Sequence, residues 1–221
     1  MTSSCFSRHF KKSLKTIVSI GFFLISIAVH AGSYDDFISA IRLDNATGIE
    51  KLLQRGFDPN TVDPDGTPGL VRALQEQSFK VAATLAGHPQ IRAEARNTRG
   101  ESALMLAALR GQEALVVQLV SKGAEVNKTG WTPLHYAATG GQARIAAFLI
   151  GAHAQVNAES ANGTTPLMMA AMYGNDQTVK VLLEYGAEAY LRNDQGLSAE
   201  DFANRAGRES SARMIREVLA R

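Results

Sequence analysis

The chain has 221 residues and a formal net charge of +2 at pH 7; 45% of its residues are hydrophobic and only 7% aromatic. A single cysteine, Cys5, excludes a disulfide within the chain and a zinc site made of several cysteines. The positive balance comes from four bases near the start, Arg8, Lys11, Lys12 and Lys15, so the charge gives no support for nucleic-acid binding.

The first element is a predicted secretory signal peptide over residues 1–31. A basic start without acids precedes an apolar run at 17–29 and small residues before a cut after Ala31. The run has 13 residues, fewer than the ~20 of a spanning helix, which disfavours the alternative of an uncleaved membrane anchor. We expect a periplasmic or secreted protein without membrane association after cleavage, carrying 19 bases and 21 acids, a net charge of −2.

The rest of the chain, from 32 to 221, repeats with a period of about 33 residues, which indicates stacked repeats in one domain. Equivalent positions, one in each unit, are Phe37, Leu70, Leu104, Leu134, Leu167 and Glu200. The predicted units lie near 33–63, 64–97, 98–127, 128–160, 161–193 and 194–221.

Each unit predicts a pair of helices. Thr132 and Thr165 are suitable N-caps, and the proline after each suits a first helical turn. Small residues such as Ala137 and Ala138 allow a neighbouring helix to approach closely, and Gly141 allows the positive φ that ends the first helix. A second helix follows, with apolar residues three and four apart. Each pair alone exposes an apolar face, which stacking of the units buries.

The segments "GWTPLHYAATGG" and "GTTPLMMAAMYG", with "KGAEVN" and "YGAEAY" downstream, resemble ankyrin repeats. The resemblance covers about residues 34–220. It implies an all-α ankyrin-repeat solenoid of helix-turn-helix units with short β-hairpin-like turns, about six units including the end caps. Together with the predicted signal peptide, the chain is similar to exported bacterial ankyrin-repeat proteins.

Several units depart from this pattern. Unit one begins without Thr-Pro, and unit six has Glu200 and Asp201 where inner units are apolar, as expected of caps that face water. Unit two has an extra Gly69 after Thr-Pro, which predicts a displaced first turn and the weakest local stability. The connection into unit four is three residues short, which places Trp131 at a trimmed turn.

No motif in the chain places a catalytic, cofactor or metal site. His135 is interpreted as structural, hydrogen-bonded to the backbone of adjacent turns, because no motif brings an acid or a nucleophile to it. The glycines stand singly at turns and form no phosphate-binding loop, and the histidines have no zinc-binding spacing. An enzyme acting through His135 or a carboxylate cluster is the disfavoured alternative.

The predicted partner-binding residues share a position on the hairpin turns or on the exposed part of the first helices. They are Arg99, Arg110, Lys128, Trp131, Tyr136, Met172 and Tyr173. Leu109, Thr139 and Met169 lie near them without being included. Aromatic residues, Met and Arg contribute strongly to binding when they are desolvated. For Tyr136, Met169, Trp131 and Tyr173 the alternative is packing between repeats.

The sequence therefore predicts a non-enzymatic protein–protein interaction module exported to the periplasm. It would bind a protein partner through its concave face and hairpin turns, as an accessory or protective factor for an exported enzyme. The alternative is an immunity-type protein that neutralises a toxic effector, and a membrane-tethered spacer is less favoured. We expect a monomer without cofactor or nucleic acid.

Overall fold

The computed structural model describes residues 32–220, and this part of the chain forms twelve α-helices. The predicted signal peptide, 1–31, lies outside the described residues. The helices are α1 (32–42), α2 (Ala46–Gln54), α3 (Gly69–Gln75), α4 (Phe79–Gly87), α5 (Ala103–Leu109), α6 (Glu113–Ser121), α7 (Pro133–Thr139), α8 (Ala143–Gly151), α9 (Pro166–Tyr173), α10 (Asp176–Glu184), α11 (Ala199–Arg205) and α12 (Glu209–Leu219). Within residues 32–220 no helix is both long enough and apolar enough to span a bilayer.

The helices form six pairs, each made of a first helix (odd number) and a second helix (even number). Consecutive first helices pack against each other more extensively than consecutive second helices do. The alanines predicted to allow this approach, Ala137 and Ala138, are completely buried. Close spacing in one layer and wider spacing in the other bends a stack of repeats, so the first helices lie on the concave side.

The first helices begin where side-chain capping satisfies free backbone N–H groups. The Thr132 hydroxyl accepts a hydrogen bond from the His135 N–H, and Thr165 caps α9 in the same way. Both predicted N-caps are confirmed. Gly141, directly after the C-cap of α7, has a φ of 67°, which also agrees with the prediction.

The expected displaced first turn in unit two is wrong. Helix α3 begins one residue before Leu70, just as α5 begins one residue before Leu104. The extra residue instead moves Pro68 into the N-cap position, where no side chain caps the helix. Gly69 is required there because a Cβ would lie 2.4 Å from the Phe37 ring.

Loops that join each second helix to the next first helix, here called finger loops, cover 55–68, 88–102, 122–132, 152–165 and 185–198. Asparagine side chains connect several of them. Asn127 donates to the His153 carbonyl (2.7 Å) and accepts from the Gln155 N–H (2.8 Å), and Asn60 and Asn157 make equivalent pairs of bonds. These bonds fix the spacing of neighbouring units at their loop ends.

Candidate protein-binding surface

The third finger loop, 122–132, is three or four residues shorter than the other four finger loops. Antiparallel bridges close three of the longer loops, at Val62–Pro68, Arg96–Ser102 and Arg192–Ser198, and no bridge is present in 122–132. The short loop places Trp131 directly beside the first-helix layer.

A recess of about 240 Å³ lies on this layer, and we call it the α7 recess. Its lining comes from three successive units: Leu109 at the end of α5, Trp131, Tyr136 and Thr139 around α7, and Met169 on α9. Tyr136 and Met169 occupy equivalent positions in successive units. Aromatic and aliphatic side chains therefore form most of the recess wall.

Trp131 forms one end of the α7 recess. It is 37% exposed, and its ring packs edge-on against the His135 ring with 5.2 Å between centroids. Edge-to-face packing of this kind is favourable beyond the area that it buries. A partner would thus meet an indole that is already held in place.

His135 is fully buried and serves as a structural link. Its Nε2 lies 2.9 Å from the Thr164 carbonyl oxygen, and its Nδ1 accepts the Thr132 N–H at 3.1 Å. A carbonyl can only accept, so Nε2 carries the proton and the ring is neutral. Burial lowers the pKa of His135 from 6.5 to about 4, although the hydrogen bonds to backbone oppose that change. The predicted bonding of His135 to the backbone of adjacent turns is confirmed.

Tyr136 connects the recess to the second finger loop. Its hydroxyl donates to Oε1 of Glu101 at 3.3 Å, and burial followed by the Glu101 charge raises the pKa of Tyr136 to about 12. Burial alone would raise the pKa of Glu101, but hydrogen bonds from Asn97, Arg99 and Tyr136 lower it overall. Arg99, which contacts the other Glu101 oxygen at 3.0 Å, is thereby connected to Tyr136 through Glu101 and lies outside the recess lining.

The other predicted binding residues lie outside the recess lining. Lys128 is half-buried, and burial followed by repulsion from Arg96 lowers its pKa. Arg110 is exposed at the end of α5, Met172 is half-buried, and Tyr173 is 56% exposed at the end of α9.

The structure thus gathers only part of the predicted set in one place. It brings Trp131 and Tyr136 together and adds three residues that were not in the set: Leu109, Thr139 and Met169. The repeat itself indicated Met169, because it occupies in the next unit the position of Tyr136.

A larger cleft of about 690 Å³ lies beside α1 and is lined mainly by charged and polar side chains. Its central cation, Arg72, contacts Asp63, Asp65 and Glu76. The α7 recess is smaller but combines partly exposed aromatic side chains with few charges, which is the composition of a protein-binding centre. Within residues 32–220, no three or more His, Cys, Asp or Glu side chains are grouped so as to hold a metal ion.

Comparison with protein families gives a match over nearly all of the described residues. The profile described as "Ankyrin repeats (3 copies)" matches residues 37–129, 70–160, 115–193 and 140–217. Together these overlapping ranges contain α2 to α11 complete. Repeats of this type generally act as protein–protein interaction modules.

Similar individual proteins come from bacteria and animals. An ankyrin repeat-containing protein of Treponema pallidum (strain Nichols) is 29% identical over 69% of this chain. Tyrosine-protein kinase Shark of Drosophila melanogaster is 34% identical over 73%, and human SH3 and multiple ankyrin repeat domains protein 2 is 32% identical over 76%. The matches span 50%, 18% and 9% of these relatives' own lengths, respectively.

Proposed function

Because this chain belongs to the ankyrin-repeat family, we propose that it is a non-enzymatic module that holds a protein partner on its first-helix face. The observation that supports this proposal is the α7 recess. Trp131 and Tyr136 are kept partly accessible there while hydrogen bonds and ring packing fix their positions. Trp and Tyr held in this way are the side chains that most often dominate binding energy.

The volume of the recess favours a protein over a small molecule. Sites for drug-sized ligands usually enclose about 300–1,000 Å³. The α7 recess, at about 240 Å³, is smaller and opens onto the first-helix face. A partner would therefore contribute one side chain to the recess and contact the face around it.

We further propose that the module acts outside the cytoplasm, in the periplasm or as a secreted protein, after cleavage following Ala31. The basic start, short apolar run and small residues of 1–31 support this location. An accessory or protective factor for an exported enzyme is the role we favour. Mass spectrometry of the protein from envelope and medium fractions tests the cleavage: a chain that begins at Gly32 agrees with it, and a chain that retains 1–31 contradicts it.

Affinity capture from the native envelope tests the binding face. The wild-type chain is compared with a Trp131→Ala/Tyr173→Ala double variant and with Tyr185→Ala, whose side chain is 51% exposed at the end of the second helix α10. We expect the double variant to capture at least tenfold less partner than the wild type, and Tyr185→Ala to capture as much as the wild type. Equal capture by a folded double variant, judged by circular dichroism, would reject this face. The identity of the partner, a resident enzyme or a toxic effector, separates the accessory role from an immunity role.

A further inference from the structure

The dimensions of the α7 recess define what part of a partner enters it. An apolar cavity of about 150 Å³ is sufficient for benzene. A recess of about 240 Å³ that is open on one side accordingly holds one side chain of the size of Phe, Leu or Met. The lining, which includes Leu109 and Met169, favours an apolar group.

The charges on the finger-loop side of the recess balance one another. Arg99 pairs with Glu101 at 3.0 Å. In the second and third finger loops Arg96 pairs with Glu94 and Glu125, and Lys128 lies near these three charged groups, so two bases stand against two acids. A partner therefore meets little net charge at this side.

Arg110, at the opposite end of the recess, is different. It directly follows the recess residue Leu109, it is exposed, and no carboxylate of the described residues lies within 4 Å of it. The equivalent position in the next unit is Gly140, where a Cβ would lie 2.3 Å from the Leu109 carbonyl oxygen. The equivalent position in the next unit therefore carries no side chain beside Arg110.

We propose that the α7 recess binds a partner segment that combines a large apolar side chain, which enters the recess, with a carboxylate that pairs with Arg110, the residue after Leu109. The inference rests on the proposed function and adds the chemistry of the partner. Residues 32–220 contain 18 Lys and Arg against 21 Asp and Glu, so the unpaired Arg110 is a local positive position on a chain that is otherwise slightly acidic. A guanidinium binds a carboxylate with two parallel hydrogen bonds, which also fixes the direction of the segment.

A charge-reversal experiment tests this pairing. A phage library of random nine-residue peptides is selected on four chains: wild type, Arg110→Glu, Trp131→Ala and the control Arg144→Glu. Arg144 is 85% exposed on the second helix α8, so its reversal changes the net charge equally but away from the recess. Enriched peptides are then synthesised with a fluorescein label, and their anisotropy is titrated with each of the four chains; for the three chains that keep Trp131, the only tryptophan, its emission is recorded as well.

We expect the wild type and Arg144→Glu to enrich peptides that combine Phe, Leu or Met with Asp or Glu. Arg110→Glu should enrich Lys or Arg in place of the acids and should bind the wild-type peptides two- to fivefold more weakly. Trp131→Ala should lose at least tenfold in affinity, and bound peptide should shift the wild-type emission. Circular dichroism checks that each variant is folded.

Three results would overturn the inference: no enrichment on wild type, enrichment without acids, or the same acids on Arg110→Glu. Enrichment that depends on Trp131 but shows no preference for acids overturns only the proposed pairing of a carboxylate with Arg110, and the proposed function stands. If Trp131→Ala leaves peptide binding unaffected and the double variant captures the envelope partner fully, both the inference and the proposed function are overturned.

Discussion

The buried imidazole of His135 makes the stability of the repeat array depend on pH between 6.5 and 4. In the folded chain the neutral ring donates to the Thr164 carbonyl and accepts from the Thr132 N–H, and burial lowers its pKa to about 4. In the unfolded chain the same group titrates near its ordinary value of 6.5. As the pH falls below 6.5, the unfolded state therefore binds a proton that the folded state does not, and the folded state loses stability.

The two pKa values give the size of this effect. A difference between 6.5 and about 4 corresponds to about 3 kcal/mol, present in full above pH 6.5 and lost by about pH 4. Within that interval the free energy of unfolding changes by at most about 1.4 kcal/mol per pH unit from this residue. Carboxylates also titrate there, so a matched variant is needed to isolate the contribution of His135.

Urea unfolding of the wild type and of His135→Gln, at pH values from 8 to 4, isolates that contribution. The amide of Gln retains a donor and an acceptor but does not titrate. We expect the variant to be less stable at pH 8 and the difference between the two proteins to shrink as the pH falls toward 4. Parallel curves would refute the reasoning. A titration of the His135 ring by NMR in the wild type, with a midpoint near 6.5, would refute it even if the variant failed to fold.

Two further predictions follow from the packing of the first helices and from the bonds between finger loops. Gly140→Ala should destabilise the chain by about 1–3 kcal/mol, because the new Cβ meets the Leu109 carbonyl oxygen. The control Gly151→Ala, whose Cβ would have no atom within 4 Å, should stabilise the chain by less than about 1 kcal/mol. Equal effects of the two substitutions in urea unfolding would contradict this. Asn127→Ala should lower the free energy of unfolding by about 1–3 kcal/mol, because two hydrogen bonds between finger loops are lost; a chain as stable as wild type in thermal unfolding would contradict this.

The parts of the fold that repeat could be predicted from the sequence. Thr132 and Thr165 indicated the start of the first helices, and the glycines and apolar spacing indicated the pairs, because each unit repeats the same local chemistry. The error in unit two arose at Gly69, which stands between Thr-Pro and the core leucine. The finger loop 55–68 is as long as 152–165 and 185–198, so helix α3 kept its register and Leu70 reaches the core in line with its equivalents.

The composition of the binding surface could be predicted only in part. Trp131 and Tyr136 were identified by residue type, but the recess also needs Leu109 and Met169 from the two neighbouring units, which depends on the curvature of the stack. Arg110 and Lys128 were equivalent candidates in the sequence. Only the structure distinguishes the exposed, unpaired guanidinium from the half-buried amine that lies near two acids.

Hydroxyl-radical footprinting of the module with its captured partner tests directly whether the first-helix face is the binding face. Exposed aromatic side chains stand on both layers: Trp131 and Tyr173 on the first-helix side, and Tyr185 at the end of a second helix. We expect the partner to lower the oxidation of Trp131 and Tyr173 severalfold and to leave that of Tyr185 unchanged. Protection of Tyr185, with Trp131 and Tyr173 as reactive as in the free protein, would contradict the account.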